Sequence, residues 1–285
     1  MKRWLVGGVV LVGMASAAGA DEGLPGATAA PAQGGAVAVK AVPVEVPAAL
    51  TEYLELSGAK RGLEGLPSSL AKLILKAEKV NDAMAAALAD ALTPGPFYRR
   101  VVGVLAQGYD EARFASLLAW ARSPLGKRIS ALGEAADRDP KALQARIEAQ
   151  KQTPPSAERL ELVRRLVTAD DVIGTVNGAA RALFGGLAAF VQRVLPQGSA
   201  SPPGLIASMP AQTKNGAEPF VPHYLGTYAA LSDAELQQYL DHTVAADSRW
   251  YDALERKAVN EAMQDAGARM GAAMLRFAMR VKGSL

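Results

Sequence analysis

Apolar residues recur every three or four positions along most of this chain, and prolines, glycines and polar runs cut the pattern into helix-length pieces. From Pro47 onward Leu50, Leu54, Ala59, Leu63 and Leu66 fall on helical steps, and Leu70, Leu73 and Ile74 extend the face. Gly58, Gly62, Gly65 and Pro67 interrupt this run, which predicts two short helices or one kinked one. Asn81-Asp82 can cap an alanine-rich helix reaching Leu92. Thr93-Pro94-Gly95-Pro96 breaks the chain, and Phe97, Val101, Val104 and Leu105 mark the next amphipathic helix.

The centre of the chain carries a sharper local signal. Asp110 can cap a helix bearing Phe114, Leu117, Leu118 and Ala121. Pro124 disfavours helical geometry at Ser123, so one helix must stop there. Ser123 can then cap a new helix with Pro124 in its first position, where the missing N–H costs nothing. Leu125, Ile129 and Leu132 face one way on that helix, and Gly126 admits a close neighbour. The stretch reads as a structural helix corner, with Lys127-Arg128 as an exposed basic pair that either stays solvated or touches an acidic partner.

The second half repeats the style. Residues 138–152 are polar and weakly amphipathic, and Thr153-Pro154-Pro155 is the best internal boundary. Leu160, Val163, Leu166 and Val167 give a helix. Val172 to Leu195 is long and apolar enough to consider as a membrane span. Arg181 in its middle costs a few kcal/mol in lipid, which favours a buried core helix with Gly174, Gly178, Gly185 and Gly186 suited to close packing. Pro196 to Pro219 is a long Gly/Ser/Pro-rich loop. In Leu231-Ser232-Asp233-Ala234-Glu235-Leu236, Ser232 and Glu235 form a capping box inside a Leu231/Leu236 hydrophobic staple. A last long helix from about Ser248 carries Trp250, Leu254, Val259, Met263, Ala266, Met270, Met274, Phe277 and Val281. Its methionines, with Met279, read as core packing first and as an adaptable apolar surface second. The one candidate strand, Ala36 to Val46, is weakened by Pro43 and Pro47.

These elements predict an all-α protein of two related multi-helix modules, residues 47–152 and 156–285, the second holding the loop at 196–219. Residues 1–20 have the three parts of a secretory signal peptide: Met1-Lys2-Arg3, the apolar Trp4 to Met14, and Ala18-Gly19-Ala20 before Asp21. Residues 21–46 form an Ala/Gly/Pro-rich flexible linker. Cleavage after Ala20 would leave a periplasmic chain with no stable membrane span. The absence of cysteine excludes disulfides, thiol catalysis, lipid attachment at cysteine and cysteine metal sites. The net charge of +3 has no dense basic stripe behind it, so nucleic acid is not an expected partner.

Leu54-x-Leu56-Ser57-Gly58, then Tyr109, then Phe114-x-x-Leu117-Leu118-x-Trp120 with Ser123-Pro124-Leu125-Gly126-Lys127 resemble the bacterial family called domain of unknown function 2059. The resemblance covers residues 48–136. It implies an exported helical protein whose motif residues are Ser57, Gly58, Tyr109, Trp120, Ser123, Pro124, Gly126 and Lys127; it implies no activity. A degraded second copy is expected over 157–265. Leu236, Leu240, Ser248 and Arg249 lie opposite Phe114, Leu118, Gly126 and Lys127 without gaps, and Ala246 replaces Pro124. Val167-Thr168-Ala169 echoes Leu56-Ser57-Gly58 at a different offset, which calls for an insertion between the copies.

The candidate chemistry is thin. His223, in a loop, and His242, on a solvated helix face, have no partner at metal-ligand spacing, and Asp170-Asp171 reads as a cap or solvated surface. No nucleophile elbow, Walker loop or dinucleotide fingerprint occurs. The expectation is therefore a non-catalytic binding or structural factor of the bacterial envelope with no catalytic, cofactor or metal site and with a protein or peptide as partner. Two alternatives stay open: an envelope hydrolase using His223 or His242 with a carboxylate, and a membrane-associated protein acting through residues 172–195.

Overall fold

The computed structural model describes residues 45–77, 82–194 and 218–282. The expected signal peptide, the linker up to residue 44, most of the candidate strand, Asn81 and the loop to residue 217 lie outside the described residues. Every regular element within them is helical. In chain order the helices are α1 (Ala48–Leu56), α2 (Ala59–Ala77), α3 (Asp82–Ala91), α4 (Pro94–Gln107), α5 (Glu111–Arg122), α6 (Pro124–Arg138), α7 (Pro140–Gln152), α8 (Ala157–Asp170) and α9 (Val172–Val194). After a 3-10 turn at Glu218–Phe220 follow α10 (Val221–Thr227), α11 (Asp233–Val244) and α12 (Ala246–Lys282).

Local chemistry explains most boundaries. Asp110, Ser123, Asp139 and Ser156 each accept a hydrogen bond from the backbone N–H three residues on. The capping box forms in full at α11, and Leu231 and Leu236 are both buried. Between α1 and α2 the chain turns through Gly58, whose φ of 75° suits glycine. Beyond that turn α2 runs unbroken through Gly62, Gly65 and Pro67. The expected break is at Ser57-Gly58 alone, because burial of Leu63, Leu66 and Leu70 along one face outweighs the poor helix propensity of the other breakers. The second left-handed residue is Asp171, between α8 and α9, at φ 43°. Thr168 and Ala169, which echo Ser57-Gly58 in the sequence, lie inside α8.

Two apolar clusters fill the molecule, and neither follows the proline boundary at 153–155. The first gathers Leu50, Tyr53 and Leu54 of α1, side chains from α2 to α5, Leu183 and Leu187 of α9, and Tyr251, Val259, Met263 and Met270 of α12. The second gathers Val163, Leu166 and Val167 of α8 with Tyr224 of α10, Leu236, Tyr239 and Leu240 of α11, and Ile129 of α6. The helix after each corner thus serves the other half's core: α6 inserts Ile129 into the second cluster, and α12 inserts its apolar face into the first.

The most extensive packing is between α9 and α12. A Cβ on Gly186 would overlap the Gln264 carbonyl, and one on Gly267 would overlap the Leu183 carbonyl. The two backbones approach this closely because nothing but hydrogen stands at those positions. The expectation of a buried core helix holds for Ala179, Ala180, Leu183, Phe184 and Leu187. By length and composition alone, residues 157–194 are still apolar enough to cross a membrane. Met263 and Met270 are buried and Met274 packs on the first cluster, as core methionines do, whereas Met279 is exposed.

Adjacent glycines offer a matched test. Gly186→Ala is expected to destabilise by about 1–3 kcal/mol through overpacking. Gly185→Ala, where a Cβ meets open space, is expected to stabilise by up to about 1 kcal/mol. Urea unfolding of both variants measures the difference, and equal midpoints would contradict the close crossing.

Candidate functional site

Of the motif residues, Trp120 packs against both clusters and Tyr109 against the first. Ser57 is buried at the end of α1, and its Oγ accepts the Ala59 N–H at 3.3 Å. Tyr109 stacks on Phe114 with ring centroids 4.9 Å apart. Phe114 in turn meets Tyr53, Tyr251 and Trp250 edge-on, which gives the first cluster an aromatic centre. Arg113 lies over the Trp250 ring at 5.1 Å.

Ser123 ends α5 and caps α6 with φ −64° and ψ 156°. Pro124 takes the first helical position, as its chemistry requires. Gly126 is buried, and a Cβ there would overlap the Trp120 carbonyl; the close neighbour is the end of α5. Lys127 is exposed. Arg128 is not merely solvated: it pairs with Glu235 of the capping box and donates to the Ala230 carbonyl at 2.5 Å. The acidic group it touches belongs to its own chain.

The corner between α11 and α12 has nearly the same backbone. Ala245 sits at φ −63° and ψ 152°. Its N–H bonds the His242 carbonyl at 3.1 Å, as the Ser123 N–H bonds the Trp120 carbonyl at 2.9 Å. The first turns also match: Lys127 N–H reaches the Ser123 carbonyl and Arg249 N–H the Ala245 carbonyl, both at 3.0 Å. Ser232 caps α11 where Asp110 caps α5. Trp120 and His242 therefore occupy corresponding places, and their rings stack on each other, 4.2 Å apart and 13° from parallel.

This placement corrects the reading of His242 as a solvated residue. It is half-buried against Trp120, with Nε2 3.3 Å from the Ser248 hydroxyl. Desolvation lowers its pKa to about 3. His223 is likewise not in a loop: it lies in α10, buried, with its pKa lowered by desolvation to about 4 and Nε2 without a hydrogen-bond partner among the described residues. Asp170 is fully buried and accepts the Tyr224 hydroxyl at 2.7 Å. Asp171 does act as a cap, accepting the Gly174 N–H at 3.2 Å and pairing with Arg256 at 2.8 Å.

The sequence reading also missed Glu255 and Asp252, buried on α12. Tyr251 donates to Glu255 at 3.2 Å. Burial, with these carboxylates nearby, pushes the Tyr53 and Tyr251 phenols well above their usual range. Charged residues on an apolar helix face, next to Tyr251, were the signal that could have marked them.

A serine hydroxyl beside an imidazole invites comparison with a nucleophile–base pair. Ser248 is only 1 % exposed, and an imidazole with a pKa near 3 is a weak base at neutral pH. The described hydrogen bonds bring no carboxylate to either histidine. Among the described residues no group of three or more His, Cys, Asp or Glu is placed to hold a metal ion. An open depression of about 680 Å³ between α9 and α12 is lined by Gly178, Arg181, Ala182, Lys257, Asn260, Glu261 and Gln264. The Asn260 Oδ1 there is buried without a hydrogen-bond partner and can accept one from an entering donor.

Comparison with protein-family models, with curated proteins and with solved structures finds no match for this chain.

Both histidines are neutral in the fold yet protonate near 6.5 when unfolded, so the unfolded chain binds the proton first. Stability is therefore expected to fall as pH drops through about 6.5, and to keep falling toward about 4 for His223 and about 3 for His242. Each histidine contributes a slope of about 1.4 kcal/mol per pH unit within its window. His242→Phe keeps a flat ring against Trp120 and is expected to remove one share of that slope in denaturant titrations from pH 7 to 5. An unchanged slope would refute the desolvated imidazole.

Proposed function

We propose that this chain is an exported, non-catalytic binding or structural factor of the bacterial envelope, built from two copies of one helical module. The observation that carries the reading is the use made of the chemistry-bearing side chains. Ser57 and Ser123 bond backbone N–H groups, Tyr109 and Trp120 stack on other rings, and His242 lies pressed between Trp120 and Ser248. Each is occupied in joining helices, and none faces a cleft with reacting partners at hand. The resemblance to the domain of unknown function 2059 family supports the same reading, since it rests on these same residues. The depression between α9 and α12 is the place for a protein or peptide partner, with Asn260 and Gln264 as its amide contacts.

The two-copy reading draws on the matched corners. It predicts that Ala246→Pro, which restores the proline of the first corner, is tolerated. Ala245 already holds the extended geometry that a following proline requires, and position 246 is the first of its helix. The variant is expected to be neutral or more stable by up to about 1 kcal/mol in thermal unfolding. A loss larger than that would set the two corners apart.

Export is tested by expressing the full chain in a bacterium, separating periplasm from cytoplasm and sequencing the N-terminus of the product. A periplasmic chain beginning at Asp21 is expected. Retention in the cytoplasm with residues 1–20 attached would overturn the envelope assignment.

A further inference from the structure

We propose that the common C-terminal end of α9 and α12 docks on an anionic lipid surface. The two helices run parallel: Gly178 meets Asn260, Leu183 meets Gly267 and Phe190 meets Gly271. Their last turns therefore finish at the same end of the molecule. By that register Val194 lies beside residue 275, and the remaining turns of α12 carry it about 10 Å further.

Two kinds of side chain concentrate at this end. Val194 and Met279 are 41 % and 58 % exposed, and among the described residues only Val46 and Val244 are comparably bare large apolar groups. Phe190, Val191 and Met274 stand half-buried behind them. Over residues 189–194 and 269–282 the sequence places five basic residues, Arg193, Arg269, Arg276, Arg280 and Lys282, and no acidic one. The carboxylate reaching this end is Asp90 of α3, 3.7 Å from Arg276, with both side chains exposed. Arg269 donates to the Ala91 carbonyl at 2.9 Å, and after the Asp90 pair is counted the sequence still leaves this end with an excess of basic residues.

Basic residues in a last helical turn complement the helix dipole, and that alone would account for their sign. It does not account for bare valine and methionine among them. Exposed apolar side chains ringed by long cationic ones are what an interfacial contact uses: the apolar tips enter the acyl boundary while guanidinium and ammonium groups stay with the phosphates. A basic excess around bare apolar side chains matches the sign and layering of an anionic headgroup surface, which favours lipid over an apolar protein groove. The contact is peripheral, and α9 remains packed on α12.

The test is flotation of the purified chain beginning at Asp21, free of the apolar Trp4–Met14 stretch, with phosphatidylcholine vesicles that contain or lack phosphatidylglycerol. Binding is expected only with phosphatidylglycerol and is expected to weaken as salt rises. Arg276→Gln and Met279→Asp are each expected to weaken it, the first by about fivefold. Their circular dichroism and unfolding midpoints should match the parent, since both side chains are more than half exposed. Absence of flotation, equal binding to both vesicles, or binding that neither variant changes would overturn the proposal. Export is a separate matter: cytoplasmic retention would overturn the envelope assignment and leave lipid binding standing, whereas failure to float would do the reverse.

Discussion

The crossing of α9 over α12 is the contact on which the remaining architecture depends. Gly186 and Gly267 let each backbone reach a carbonyl of the other, so the two helices pack as a single slab. Leu183, Leu187, Val259, Met263 and Met270 then present one apolar surface, and α3, α4 and the α1–α5 pair close over it. A side chain at either glycine would push the slab apart and loosen every contact laid on top. Close-packed interiors transmit such displacement because they hold few voids to absorb it.

The second constraint is the way the two clusters are tied. Each corner turns a helix out of its own half and toward the other, with Ile129 and Tyr251 as the first fully buried large side chains to cross. Trp120 and His242 meet where the two paths pass. Stacked rings suit such a junction: they bury much area with few rotatable bonds. The cost is the desolvated imidazole, which gives this tie its dependence on pH. Arg128 and Arg159 reinforce the same region from outside, reaching carbonyls of the 228–231 turn as well as Glu235 and Asp233.

Much of the local structure was legible in the sequence. The caps at Asp110, Ser123 and Ser232, the proline at position 124 and the seam of α12 all depend on residues within one or two turns of each other, and near-neighbour chemistry reads directly from spacing. What escaped depends on partners far apart in the chain. Nothing around His242 announces Trp120, and nothing around Asp170 announces Tyr224. Gly62, Gly65 and Pro67 look like breaks because propensity is local, while the burial that overrides it comes from α1 and α4. The left-handed turn at Asp171 was likewise not legible, because an aspartate does not announce positive φ as Gly58 does.

The sharing of α12 with the first cluster also sets an order of events. Leu50 and Met270 lie in the same core, so that core cannot close until nearly all of the chain between them is present. Contacts of such long sequence separation are entropically late and slow. An emerging N-terminal half would hold α1 to α5 with one side bare, competent to collapse but not to finish. A chain that stays open until its last helix arrives remains threadable for as long as it is being made.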